Sequence, residues 1–293
     1  MELISKATVL RRMIAEKEFI YTAGAYDSLS AILIENAGFD SVFTTGFGVS
    51  ASALGLPDAE LYTATENLQV VQNIVNAVNV PVIADADTGY GNAINVMRTV
   101  RSFEKAGVAG ITLEDQVVPK RCPLGINSKP ELITLEEGVA KIRAAVDART
   151  NHDFVIIART DAEGEEAVRR AQAYIEAGAD FIQPLSYVNG DENGLVRFGQ
   201  SITVPLSVQM TVFAQKGLPE EMLRAMNSKF IHFPLVPLLL TSAAIQKGLA
   251  ELVQFKNTGA MKTEMMPLSE FKEVIKFKEI ESLQEKYLTA LQK

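Results

Sequence analysis

The feature that most constrains this chain is a phrase it repeats. "AGFDSVFTT" begins at Ala37, "AGVAGITLED" at Ala106 and "AGADFIQPLS" at Ala177. Each follows a stretch with apolar residues at helical spacing, such as "NVMRTVRSFEK" or "EEAVRRAQAYIE". The glycines Gly38, Gly107 and Gly178 stand where a helix C-terminus needs positive φ, and a short β-rich run follows. The phrases start 69 and 71 positions apart, which is two modules of roughly 35 residues, each the size of a βα unit. The runs "FIYTAG", "VPVIADAD", "FVIIART", "VPLSVQM" and "FIHFPL" fill the intervals. Together they predict eight strands, near residues 19–24, 40–45, 80–87, 109–114, 154–160, 180–185, 204–210 and 230–235. Eight short apolar strands alternating with helices predict a (β/α)8 TIM-type barrel occupying residues 1–293 as one domain. A doubly wound open sheet competes, but no G-x-G-x-x-G follows a strand. Past the eighth helix, residues 268–292 predict a further helix whose stripe of Phe271, Val274, Ile275, Leu283 and Leu291 needs a surface to cover, such as a neighbouring subunit.

Composition narrows the chemistry. Hydrophobic residues make up 47% and charged residues 22% of the 293, enough for a large core. No apolar run of roughly 18–20 residues is read as a membrane span, and the charged start "MELISKATVLRRMIAEKEF" is unlike a signal peptide. A net charge of −8 without a basic cluster argues against nucleic acid. The single cysteine, Cys122, allows no internal disulfide and points to reducing cytoplasm. With only His152 and His232, a His-rich zinc site or a Ser-His-Asp triad is excluded as a first reading. Carboxylates, cations, hydroxyls and one thiol remain.

In a barrel, chemistry collects where strands end at the C-terminal face. The third strand ends "IADADTGYGN", with Asp85 and Asp87 two apart, and the fourth ends "TLED", with Glu114 and Asp115. Acids converging on one rim repel one another unless a cation lies between them, and Mg²⁺ or Mn²⁺ with oxygen ligands meets that need. Each acid taken singly reads equally well as a helix cap. Arg159, ending the fifth strand in "IIARTDA", is placed to grip an anionic substrate, or to pair internally with one of the acids. Thr45, Gly46 and Phe47 after the second strand offer a hydroxyl and backbone N–H groups for a carboxylate or enolate oxygen, or form an ordinary loop. After Glu114 comes "QVVPKRCPLGINSKPELI", residues 116–133, where Pro119, Pro123, Gly125 and Pro130 predict a long irregular loop, read as an active-site gate. Within it Lys120 and Arg121 precede Cys122, and such cations favour a thiolate.

"DADTGYGN", "LEDQVVPKRC" and "IIARTDA" on consecutive strands resemble the isocitrate lyase and phosphoenolpyruvate mutase superfamily. The resemblance runs from "GAYDSLSA" to the C-terminal helix and is densest over residues 80–162. It implies Mg²⁺-dependent chemistry on small 2-oxo or 2-hydroxy acids through a pyruvate-like enolate. It also implies a homo-oligomer, a dimer of dimers with the last helix exchanged between subunits. By motif position it implies that Asp85, Asp87 and Glu114 hold the metal, mostly through waters. Thr45, Gly46 and Phe47 would bind the oxo-acid end with Asp58 close by, and Arg159 would pair with its carboxylate.

Substrate identity is where the chain departs from the family. The lyase branch carries Lys-Lys/Arg-Cys-Gly-His in its loop; here Lys120, Arg121 and Cys122 match, but Pro123 and Leu124 replace Gly-His. A Pro-Glu pair on the sixth strand of the lyases is Pro184-Leu185 here, and an Asn and a Glu on the seventh are Gln209 and Val212. Polar contacts to the far end of a tricarboxylate have thus been lost, so isocitrate and methylisocitrate fit poorly. The phosphonate branch's Pro-Lys-x-Asn-Ser is only echoed by Pro119, Lys120, Asn127 and Ser128. The leading expectation is a lyase cleaving a C–C bond of a small 2-hydroxy or 2-oxo diacid, with Lys120, Arg159 and Cys122 catalytic and Arg121 at the substrate. Oxaloacetate decarboxylation is the alternative. Phosphonopyruvate-type P–C chemistry and a non-catalytic oxo-acid-binding barrel rank below it.

Overall fold

A computed structural model describes residues 4–122, 130–185, 192–211 and 217–288. It forms two compact units, Met1–Leu238 and Leu239–Lys293. In the first, eight parallel strands close into a barrel in sequence order: β1 Ile20–Ala25, β2 Ser41–Thr44, β3 Val82–Asp85, β4 Gly110–Glu114, β5 Val155–Thr160, β6 Phe181–Pro184, β7 Leu206–Gln209 and β8 Ser228–Phe233. β8 pairs with β1, so no sheet edge remains among the described strands, and the open-sheet alternative is excluded. Helices α1 Lys6–Glu16, α2 Ser28–Asn36, α3 Gly46–Val49, α4 Ala64–Ala77, α5 Ala93–Lys105, α6 Leu135–Ala148, α7 Gly164–Glu176, α8 Glu192–Gln200 and α9 Glu220–Ala225 alternate with them.

The repeated phrase acts as read. Ala37, Ala106 and Ala177 are the C-cap residues of α2, α5 and α7, and the glycine after each has φ of 91°, 89° and 101°. At the starts of α2, α4 and α5, Asp27, Thr63 and Asn92 satisfy free N–H groups and each close a reciprocal capping box.

Strand periodicity separates two cores. On β5, Val155 and Ile157 point inward and join Ile20, Phe43, Ile83, Phe181 and Phe230, while Ile156 and Ala158 face the helices. Ala7 and Leu10 of α1 belong to the inner cluster and stop the N-terminal mouth with apolar side chains. Above this plug lies a polar layer. His232 is fully buried and bonded through Nδ1 to Thr22 Oγ1 (2.5 Å) and through Nε2 to Ser207 Oγ (2.7 Å). Burial pushes its pKa down to about 3, so the imidazole is neutral and serves as structure. One further inward step along β3, β4 and β5 brings Asp85, Glu114 and Arg159 to the C-terminal mouth.

α10, Val236–Phe255, leaves the barrel and enters the second unit. By length and composition it is apolar enough to cross a membrane, although no such stretch was expected, and Lys247 and Glu251 interrupt it. Charges at mid-helix cost about 2.5–3.5 kcal/mol each in a bilayer. The helix expected over 268–292 is found in two pieces, α11 Leu268–Val274 and α12 Phe277–Tyr287, broken where Lys276 takes φ 56°. Residues 289–292 of that expectation lie outside the described residues.

Candidate active site

β3 delivers Asp85 and then turns sharply. The Asp85 N–H donates to Thr44 Oγ1 at 3.0 Å, and Asp85 Oδ1 accepts the Asp87 N–H at 3.1 Å. This turn holds Asp87 at φ 48°, a left-handed conformation that aspartate tolerates better than most residues. Asp87 is fully buried, and its Oδ2 accepts from Tyr62 Oη at 2.6 Å and Tyr90 Oη at 2.9 Å. Asn67 Nδ2 in turn bonds Tyr90 Oη (2.7 Å) and the Asp85 carbonyl (2.9 Å). Burial, then Asp87, raises both tyrosine pKa values well above the ordinary one, so both remain donors. At Gly46 a Cβ would stand 2.7 Å from Tyr62 Oη and 3.0 Å from Asp85 Oδ2, so glycine alone fits. Its N–H donates to Asp85 Oδ2 at 3.2 Å.

Lys120 enters this acidic group from the loop after β4. Its ammonium contacts Asp87 Oδ1, sits 2.9 Å from Asp58 Oδ1 and 3.9 Å from Glu114 Oε1, and is only 2% exposed. Burial opposes its charge, but Asp87, Glu114, Asp58 and Asp85 outweigh that and raise its pKa well above normal. Asp85 is pushed up to about 6 by burial and by Asp87, offset in part by Lys120 and Arg159. Burial likewise raises Glu114 well above the usual carboxylate range, against the pull of Arg159 and Lys120.

Arg159 pairs internally with two acids, one of the two readings the sequence allowed. Nε and Nη2 meet Asp161 Oδ1 and Oδ2 at 3.0 and 2.8 Å, and Nη1 lies 2.5 Å from Glu114 Oε2. Three of its five N–H donors are thus engaged and two remain for a ligand. Behind it Asp115 accepts from Thr160 Oγ1 (2.7 Å), Tyr174 Oη (2.9 Å), Arg170 Nη1 (3.2 Å) and the Asp161 N–H (3.1 Å). Glu114 faces the barrel axis while its neighbour Asp115 faces the helices, as strand alternation requires.

One cleft gathers most of the sequence-designated residues. Thr45, Phe47, Asp58, Asp85, Cys122 and Arg159 line it, and Asp87, Glu114 and Lys120 stand directly beside Asp58, Asp85 and Arg159. Phe43, Leu185, Gln209, Thr211, Pro234 and Leu235 complete the wall. Cys122 is buried at 8% exposure, but the Arg121 side chain is exposed and outside the lining. The gate expected over 116–133 is described only at its stem, where Gln116 and Leu132 form an antiparallel bridge. Pro123, Leu124, Gly125, Asn127, Ser128 and, after β7, Val212 lie outside the described residues. Asp161, Gln116, Tyr62, Tyr90 and Asn67 were not singled out from sequence. Asp161 carried a signal, two positions past Arg159 in "ARTDA", whereas Tyr62 and Asn67 reach the site only through folding.

The donor set suits a hard divalent cation. Among the described residues, six buried acidic side chains are set against four buried cationic ones, a formal excess of two acids. Both Glu114 carboxylate oxygens and Asp58 Oδ1 lack a hydrogen bond despite their nearby cations. No three acidic, His or Cys side chains among the described residues are already grouped for direct ligation. With the Lys120 ammonium set between them, these acids fit an ion held partly through water.

The family described as phosphoenolpyruvate phosphomutase matches residues 10–253. A 2,3-dimethylmalate lyase of Eubacterium barkeri is 40% identical over 98% of this chain and 99% of its own. A 2-methylisocitrate lyase of Aeropyrum pernix is 37% identical over 93% and 88%. A phosphoenolpyruvate phosphomutase structure from Streptomyces platensis subsp. rosaceus superposes with TM-score 0.89, 33% identity and coverage of 96% and 99%. A phosphonopyruvate hydrolase in complex with oxalate and Mg²⁺ superposes with TM-score 0.88, 31% identity and coverage of 97% and 100%. With its closed (β/α)8 barrel and an acid, arginine and thiol cleft at the C-terminal mouth, the chain belongs to the phosphoenolpyruvate mutase/isocitrate lyase superfamily of enzymes.

Proposed function

We propose that this chain is a Mg²⁺-dependent lyase that cleaves a C–C bond of a small alkyl-substituted 2-hydroxy diacid and releases pyruvate or a similar 2-oxo acid. The observation that carries this reading is the make-up of one cleft. Cys122, Asp58, Asp85 and Arg159 share it with Phe47, Leu185, Pro234 and Leu235. Charged and acid–base groups stand beside an apolar wall, which suits a diacid bearing methyl groups better than a tricarboxylate. The 40% identical relative named for 2,3-dimethylmalate supports the same substrate class.

Asp85, Asp87 and Glu114 would hold Mg²⁺ (or Mn²⁺), which would supply positive charge to stabilise the developing oxyanion of the substrate. Arg159 offers its two remaining N–H donors to the carboxylate of the oxo-acid half, with the Thr45 hydroxyl and the Phe47 backbone alongside. The Gly46 N–H also orients Asp85 by donating to its Oδ2. Lys120 holds Asp58 in place beside the cleft. Asp58 takes the hydroxyl proton of the substrate as C2 becomes a carbonyl, and the C2–C3 electron pair leaves with the other fragment. That fragment's carboxylate accepts the charge as an enediolate, and the Cys122 thiol donates a proton to its carbon. Proton return from Asp58 through solvent restores the thiol. The cleft leaves about 30 Å³, room for about two waters.

A panel of 2,3-dimethylmalate, 2-methylisocitrate, oxaloacetate and phosphonopyruvate, read by pyruvate release with Mg²⁺, tests the assignment. The expected result is preference for the dimethylmalate and a loss of about 10²–10⁴-fold in Cys122→Ser. Turnover of oxaloacetate alone, unchanged in Cys122→Ser, would replace this reading with decarboxylation, which the smallness of the cleft also favours. Assembly into a homo-oligomer accounts for the exposed apolar side chains of the second unit, including Leu240, Ile245, Leu249 and Val253. A single-chain mass by light scattering would remove that part.

A further inference from the structure

Gln116 makes two contacts that join different parts of the cleft. It lies at the end of β4, two residues beyond Glu114, and is 1% exposed. Its Nε2 donates to Asp161 Oδ2, and its Oε1 accepts the Arg121 N–H at 2.8 Å. Asp161 is the carboxylate that clamps Arg159 from the side through Nε and Nη2. Arg121 is the residue before Cys122. The stem that carries Gln116 is itself fixed: Val117 N–H donates to the Glu131 carbonyl at 2.8 Å, and Ile133 N–H to the Asp115 carbonyl at 3.0 Å.

We infer that Gln116 is a positioning residue that sets the backbone carrying the Cys122 thiol in register with the Arg159–Asp161 anion clamp. An amide suits this role because it is donor and acceptor at once. Glutamate keeps the acceptor toward Arg121 but sets a carboxylate against Asp161, and methionine of similar length loses both contacts. The inference rests on the roles proposed above for Arg159 and Cys122, but its test reads neither turnover nor product.

Cys122 is the only cysteine of the chain, so its alkylation by iodoacetamide reports the loop side without ambiguity. Oxalate affinity in Mg²⁺, by calorimetry, reports the clamp side. Gln116→Met should speed alkylation and weaken oxalate by about tenfold each, the effect of one lost buried hydrogen bond. Gln116→Glu should keep alkylation within about threefold of wild type, because the Arg121 tether survives. It should weaken oxalate by about tenfold, because a carboxylate oxygen then faces Asp161 where the N–H donor stood. A general structural defect would move both readouts together in Gln116→Glu as well. Wild-type alkylation in Gln116→Met, or identical behaviour of the two variants, overturns the inference. Unchanged oxalate affinity in Arg159→Met would instead sink the clamp reading, and the alkylation comparison would still decide the tether.

Discussion

Glu60 gives the sharpest test of the electrostatics beside the acids. It is half-buried, its Oε1 accepts from Thr88 Oγ1 at 2.9 Å, and its Oε2 has no hydrogen-bond partner. Burial first, and Asp87 second, push its pKa from 4.5 up to about 7, with Thr88 and Lys120 offsetting only part. A carboxyl with a higher pKa folded than unfolded binds more protons in the folded state between those two values. Stability must therefore fall as pH rises from about 4.5 to about 7, and the penalty is complete above that window. The gap corresponds to roughly 3 kcal/mol, and partial exposure trims it toward about 2 kcal/mol. Glu60→Gln removes the titrating group. Urea denaturation with chelator present, at about pH 5 and about pH 8, should show the wild type losing about 1.5–2.5 kcal/mol more than the variant between the two. Comparing the two pH values cancels whatever the new amide's own pairing costs. A variant that tracks the wild type within about 0.5 kcal/mol at both would refute the reasoning.

Two other substitutions probe the surrounding network. Tyr62→Phe removes the 2.6 Å donor to Asp87 while Tyr90 remains, so activation by Mg²⁺ should require about tenfold more metal; an unchanged Mg²⁺ titration would count against Asp87 as a metal acid. Arg170→Met leaves Asp115 buried without its cation and frees the Ile133 carbonyl, which should cost about 3–5 kcal/mol in chemical denaturation; a loss below about 1 kcal/mol would show that Tyr174 and Thr160 suffice.

The strand-end residues were legible because position along a barrel strand is written in its period of two. Asp85, Glu114 and Arg159 follow Ile83, Thr112 and Ile157 on the inner face, so the fold assigns them to the mouth once the strands are found. Cys122 was legible as the only thiol behind Lys120, and the cleft holds it. The partners of these groups were harder to read. Nothing local in "LYTATENLQV" announces that Tyr62 and Asn67 reach Asp87 and the Asp85 carbonyl. Lys120 and Arg121 look equivalent side by side, yet one is buried among three acids and the other is exposed.

Local patterns therefore determined the repeating βα unit, its glycine-terminated helices and the chemical types at the strand ends, because each depends only on neighbours a few residues away. Which charge faces which was decided by closure of the barrel. Closure brings residues such as Gln116 and Asp161 together across adjacent strand ends, and it buries more acids than cations in one place. Burial then magnifies each remaining contact, so the electrostatic character of the cleft belongs to the tertiary structure.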